Sequence, residues 1–212
     1  MKKLLWCGGS HLGNARGVIE SLFAQFDNEF YITAGPKNRD WSVDGGRYFV
    51  NGSIVGDNAQ KPGRRLDLGV FDRVIFVGQY IQPQRYVYPS QLLSSALLNS
   101  ILRRDDLFVR LPRGIFNEPI SLFPKIAKEK CVLLCDPWTK YNLLPVGFME
   151  GFKKELTNYC LKNNILLMFQ PNSTIEREFS TRQEFSRSKN DEMHFNDEFW
   201  CLYMQNLKDK FE

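Results

Sequence analysis

The sequence predicts an α/β protein, a three-layer sandwich whose central, mostly parallel sheet lies between two layers of helices. Three observations predict it. Short apolar runs recur at residues 3–7, 30–34, 73–77, 131–135 and 165–169. Each run stops at glycine or at a polar residue or glycine followed by proline: Gly8-Gly9, Gly35-Pro36, Gly78, Asp136-Pro137 and Gln170-Pro171. Such residues end strands and turn the chain. Between the runs lie segments of helical periodicity, the alternation that builds βαβ units with both faces of the sheet covered.

In order, residues 3–7 form the first buried strand. Leu12, Ala15, Val18, Ile19, Leu22, Phe23 and Phe26 then repeat at three- and four-residue spacing. That spacing puts one apolar stripe on a helix, with Ser10 placed to cap it. Residues 30–34 form the second strand. Residues 36–65 are rich in Gly, Asn and Asp, and two strand-like runs flank Asn51-Gly52, a hairpin signal. This stretch is expected to leave the main sheet as a hairpin excursion. Residues 73–77 are the third core strand, 89–104 a helix, 131–135 a strand, 147–162 a helix and 165–169 the last core strand. Residues 172–190 read as a polar connection and 196–210 as a closing amphipathic helix. No repeat or composition break divides the chain, so residues 1–212 are read as a single domain.

Composition narrows the class. Hydrophobic residues make up 43% and charged residues 25%, ordinary values for a soluble protein. No apolar stretch is long enough to span a membrane, and the apolar run after Met1-Lys2-Lys3 is too short for a signal peptide, so a cytoplasmic protein is expected. The net charge of +4 gives no case for a nucleic-acid partner. The basic clusters at residues 61–65 and at Arg103-Arg104 are surface, or a place for an anionic substrate group. Five cysteines, an odd number without a CxxC pair, read as small buried hydrophobes in a reducing compartment. With two histidines and no ligand-like spacing, no metal site is expected.

In a parallel sheet, ligands bind beyond the carboxyl ends of the strands. Ser10 sits there, where Gly8-Gly9 lets a strand bend into a helix whose first N–H groups are unpaired and suited to an oxyanion. A serine hydroxyl needs a base. Asp191-Glu192-Met193-His194 supplies one, with three residues of separation able to set the carboxylate against the imidazole. Ser10, His194 and Asp191 are therefore the candidate catalytic residues. Gly35, Gly78 and Gln79 are candidate oxyanion or substrate donors. His11 is poorly placed to serve its neighbour Ser10 as base and is expected to pack or bind near the site.

These residues resemble the SGNH hydrolase superfamily, the GDSL-type esterases. Gly8-Gly9-Ser10-His11 is similar to the first block, Gly35 to the second, Gly78-Gln79-Tyr80 to the third and Asp191-x-x-His194 to the last. The third block departs: Tyr80 stands where the family has asparagine. The ends of the motif set also look like SGNH-like proteins of bacterial surface-polysaccharide pathways. The resemblance implies a flavodoxin-like, SGNH-like fold and a serine-dependent ester hydrolase or O-acyltransferase acting on a small-molecule or carbohydrate ester. It implies no cofactor, apart from an acyl-CoA donor if the reaction is transfer. Two other readings stand beside it. One is a nucleotide- or phosphate-binding module, although the glycine spacing fits neither a P-loop nor Gly-x-Gly-x-x-Gly. The other is a non-catalytic carbohydrate-binding relic of the fold.

Overall fold

The computed structural model describes residues 1–32, 40–45, 47–51, 66–78, 83, 94–103, 130–139, 144–177, 179–189, 191 and 194–211. Five strands form one parallel sheet: β1 (Lys3–Gly8), β2 (Asp27–Ile32), β6 (Arg73–Val77), β7 (Cys131–Leu134) and β8 (Leu166–Met168), in the order β2-β1-β6-β7-β8. Between β2 and β6 lie β3 (Asp40–Asp44), β4 (Arg47–Asn51) and β5 (Leu66–Asp67), a separate antiparallel sheet. With that excursion set aside, the main strands run 2-1-3-4-5, the order of a doubly wound sheet. Its ligand crevice opens where the first and third strands part, here beyond Gly8 and Val77.

The central strands β1, β6 and β7 are buried on both faces, and the period of two divides their side chains cleanly. Leu4, Trp6, Ile75, Val77, Val132 and Leu134 point to one face, against helices α1 (Ser10–Leu22) and α4 (Asp197–Lys208). Leu5, Cys7, Val74, Phe76, Cys131 and Leu133 point to the other, against α3 (Val146–Lys162), which packs beside α2 (Ser95–Leu102). Burying each large side chain contributes roughly 2–3 kcal/mol. Trp6 is wholly buried, and its indole N–H donates to Asn28 Oδ1 at 2.9 Å. Asn28 Nδ2 in turn donates to the Phe23 carbonyl at 2.7 Å. This polar residue therefore belongs inside β2, which begins three residues before the apolar run that marks it in the sequence.

Other boundaries shift for local reasons. Helix α1 begins at Ser10 with Gly9 as its cap, and no side chain caps it. Ser10 is thus the first helical residue and not the N-cap expected from the sequence. A hairpin turn joins Asp44 to Arg47, which are paired across β3 and β4. Asn51 ends β4, and the hairpin expected across Asn51-Gly52 falls on residues outside the described ones. The polar connection before the last helix has structure of its own: β9 (Ile175–Arg177) and β10 (Ser180–Thr181) pair antiparallel. Asn196 caps α4 by accepting from the Phe199 N–H at 3.0 Å. All five cysteines are free, and only Cys201 is exposed. Burial pushes the Cys131 and Cys160 thiols up to about 12, so neither is a thiolate nucleophile at neutral pH. No helix among the described residues is long and apolar enough to cross a membrane.

Candidate active site

Gly8 ends β1 where the chain has no room for a side chain. A Cβ there would stand 2.5 Å from the Val77 carbonyl oxygen and 2.8 Å from Leu12 Cβ. The close approach lets β1 turn at once into α1. The first turn of α1 closes with the Gly13 N–H on the Gly9 carbonyl at 3.1 Å, so the amides of Ser10, His11 and Leu12 precede the intrahelical ladder. Ser10 is exposed, and its hydroxyl is not used as a cap.

At the other end of the chain, Asp191 and His194 are joined twice. Asp191 Oδ2 lies 2.9 Å from His194 Nδ1, and Asp191 Oδ1 accepts the His194 backbone N–H at 2.9 Å. The ionised carboxylate can only accept, so the contact selects the Nδ1–H tautomer and leaves Nε2 with a lone pair. Both side chains are partly open to solvent, at 35% for His194 and 27% for Asp191.

The turn that carries this pair is built from its own backbone. The Ser186 hydroxyl lies 2.7 Å from the Ser188 carbonyl and 2.6 Å from that of Asp191. The Arg187 N–H donates to the His194 carbonyl at 3.0 Å, and the Asn196 N–H to that of Phe185 at 2.8 Å. Upstream, Gln170 Nε2 lies 3.0 Å from both the Thr174 and Thr181 hydroxyls. All three side chains are buried, so this network pins the β9–β10 hairpin to the strand ends. Downstream, the Tyr203 hydroxyl reaches the Cys135 carbonyl at 3.1 Å and the Met168 carbonyl at 2.8 Å, fixing α4 to the ends of β7 and β8.

The two ends of the chain meet. The His11 and His194 ring centroids are 5.8 Å apart, and Arg187 Nη1 donates to Asn14 Oδ1 at 2.7 Å. The second contact ties the His194 turn to α1 one helical turn beyond Ser10.

A second histidine–aspartate pair lies beneath the first. His11 Nε2 is 3.5 Å from Asp136 Oδ1, with side-chain exposures of 4% and 0%. Burial, foremost, and then the nearby His194 lower the His11 pKa to about 4, against an opposing pull from Asp191. His11 is therefore a neutral imidazole at pH 7, and the pair is not a salt bridge. The sequence reading has His11 near the site but misses Asp136. Its signal was present: a carboxylate at the carboxyl end of a core strand, where parallel sheets place their sites.

Gly78 stands over this pair in the left-handed region, at φ 55°. A Cβ there would meet His11 Cδ2 at 2.7 Å and Asp136 Oδ1 at 2.9 Å. Its N–H donates to the Leu134 carbonyl at 3.1 Å, so this amide extends the sheet and is not turned out as the oxyanion donor expected of it. Glycine is required here by conformation and by space. Gly35, Gln79 and Tyr80 lie outside the described residues, as do residues 61–65 and Arg104. Among the described residues, no group of three or more His, Cys, Asp and Glu side chains converges as a metal would require.

No protein-family model matches the chain, and no curated protein matches it. Among solved structures it is similar to a "putative acylhydrolase" from Bacteroides fragilis, with 12% identity and a TM-score of 0.49, over 99% of this chain and 88% of that one. The α/β class rests on the strand order and the two covered faces of the sheet.

Proposed function

We propose that the protein is a serine-dependent acyl-ester hydrolase or O-acyltransferase, with an O-acylated carbohydrate as the substrate class. The observation that carries this reading is the pair of hydrogen bonds from His194 to Asp191, which selects the Nδ1–H tautomer on a ring 5.8 Å from that of His11, the residue after Ser10. In the reaction, Ser10 Oγ attacks the acyl carbonyl carbon while His194 Nε2 takes the hydroxyl proton. Asp191 holds the tautomer and stabilises the imidazolium. The carbonyl oxygen becomes an oxyanion held by the Ser10 amide at the helix start, with Gly35 as the second proposed donor.

Collapse of the tetrahedral intermediate breaks the bond to the sugar oxygen, which leaves with the proton from Nε2, and an acyl-Ser10 ester remains. Water then gives hydrolysis. Another hydroxyl gives transfer, for which a thioester such as acyl-CoA is the proposed donor; its C–S bond then breaks in the first step, and the thiol leaves with the proton from Nε2 in place of the sugar oxygen. In both cases His194 removes the proton from the attacking oxygen and returns one to Ser10.

The test is turnover of a small acetyl ester, with and without a sugar acceptor, by the wild type and Ser10→Ala. Turnover lost in the variant supports the reading. Equal turnover in both proteins, or none in either, rejects it in favour of a binding module.

A further inference from the structure

We propose that His11 is a positioning residue for the acyl-transfer site: clamped by packing between Asp136 and Gly78, its ring fixes Ser10 relative to His194. The proposal rests on the acyl-transfer reading given above and adds a residue to it.

Four structural parts converge on this ring. Its own backbone is the first turn of α1, one residue from Ser10, so a shift of His11 moves Ser10. From the end of β7, Asp136 Oδ1 lies 3.5 Å from Nε2. From the end of β6, Gly78 packs so tightly that a Cβ would stand 2.7 Å from His11 Cδ2 and 3.1 Å from its Cβ. From the C-terminal part, the His194 ring lies 5.8 Å away and the Trp200 ring 6.0 Å away. With 4% of its surface exposed, the ring has no alternative position that leaves these neighbours in place.

The geometry also assigns its proton. His11 Nδ1 is buried without a hydrogen-bond partner among the described residues, and the 3.5 Å between Nε2 and Asp136 Oδ1 is a close approach and not a formed hydrogen bond. A hydrogen on Nε2 is the one with a carboxyl oxygen nearby, and we place it there. His194 carries its hydrogen on Nδ1, toward Asp191. In this proposal the chain's two histidines thus take opposite tautomers, one hydrogen-bonded to its aspartate and the other packed beside one.

Among the described residues, the ionisable groups near His11 include Asp136 at the end of β7 and Asp191 and His194 on the turn before α4; Tyr203 on α4, itself pushed up by burial, lies beside Asp136. A cationic His11 would oppose the imidazolium that His194 forms in each half-reaction. The lowering of its pKa to about 4 agrees with a ring that positions and does not exchange protons at neutral pH.

The experiment is ¹⁵N imidazole NMR on the full chain, combined with fluorophosphonate labelling of Ser10 followed by intact mass. In the wild type, one ring should be an Nε2–H tautomer that does not titrate between pH 8 and 5, and it should vanish in His11→Gln. The other should be an Nδ1–H tautomer that reverts when Asp191 is replaced by Asn. His11→Phe should slow Ser10 labelling by roughly tenfold or more, the scale of a catalytic geometry loosened by about 1 Å. His11→Gln, which keeps a donor for Asp136, should recover most of the rate. An Nδ1–H tautomer at His11, or titration near the ordinary histidine value, overturns the clamp. That measurement stands even if His11→Phe fails to fold. Wild-type labelling rates in a folded His11→Phe, or no rescue by glutamine, overturn the positioning role. A wild type that does not label at Ser10 overturns the acyl-transfer reading itself and the positioning role with it, whatever the tautomers show.

Discussion

The two histidine–aspartate pairs are built from the same side chains and behave differently. His194 and Asp191 are partly open to water and 2.9 Å apart. His11 and Asp136 are sealed in and 3.5 Å apart. The open pair has a carboxylate that selects Nδ1–H, which leaves the lone pair on the other nitrogen. The sealed pair sits where an imidazolium would lose its hydration, so it holds shape and not charge. Identity alone does not make a catalytic dyad. Solvent access and the choice of nitrogen decide which of two like pairs can move protons.

The largest expected effect sharpens the half of that comparison proposed as catalytic. Asp191→Asn should lower kcat by ~10³–10⁴-fold, because the amide no longer fixes the correct tautomer. A loss under tenfold would make the open pair an ornament of the turn. The next expected effect falls on the sealed half. Gly78→Ala should cost on the order of 3 kcal/mol, from a left-handed backbone and a Cβ pressed on His11 and Asp136. Urea unfolding of the variant measures it, and an unchanged midpoint would show that the pair is not packed as described.

Acid should separate the pairs as well. The His11 pKa rises from about 4 in the folded protein to 6.5 in the unfolded chain. Between those values the unfolded chain binds a proton that the folded protein does not, so stability falls as pH drops through this window and levels off below it. The loss is on the order of 3 kcal/mol. Urea midpoints from pH 7 to 4 should follow it in the wild type, and this component should be absent in His11→Gln. The smallest effect belongs to the exposed tie between the ends of the chain. Arg187→Ala removes the bond to Asn14 and should cost about 0.5 kcal/mol or less.

The sheet was legible because its central strands β1, β6 and β7 are buried on both faces and read as continuous apolar runs. Arg73–Val77 emerges with the bounds expected, and α3 differs from its expected start by one residue. What misled was polarity inside structure. Asp27, Asn28 and Glu29 look like a loop, yet they begin the edge strand β2, where Asn28 satisfies the Trp6 indole. The hairpin signal at Asn51-Gly52 runs into residues outside the described ones, while β3 and β4 pair across a turn between Asp44 and Arg47. At the site, Asp191 and His194 were legible because a local spacing of three residues joins them. Asp136 was not, since its partner is His11, more than a hundred residues away, and only the strand order brings them together. The Gly78 amide shows the opposite error: a glycine at a strand end suggests a free donor, but the ladder extends one residue further and takes it.

The central claim is that Ser10 and His194 share a proton. Fluorophosphonate labelling of the wild type and His194→Gln, read by intact mass and peptide mapping, tests it most directly. One adduct, on Ser10, formed far more slowly in the variant, is the predicted result. Labelling of Ser10 at the same rate without the imidazole, or no labelling of Ser10 in the wild type, would contradict it.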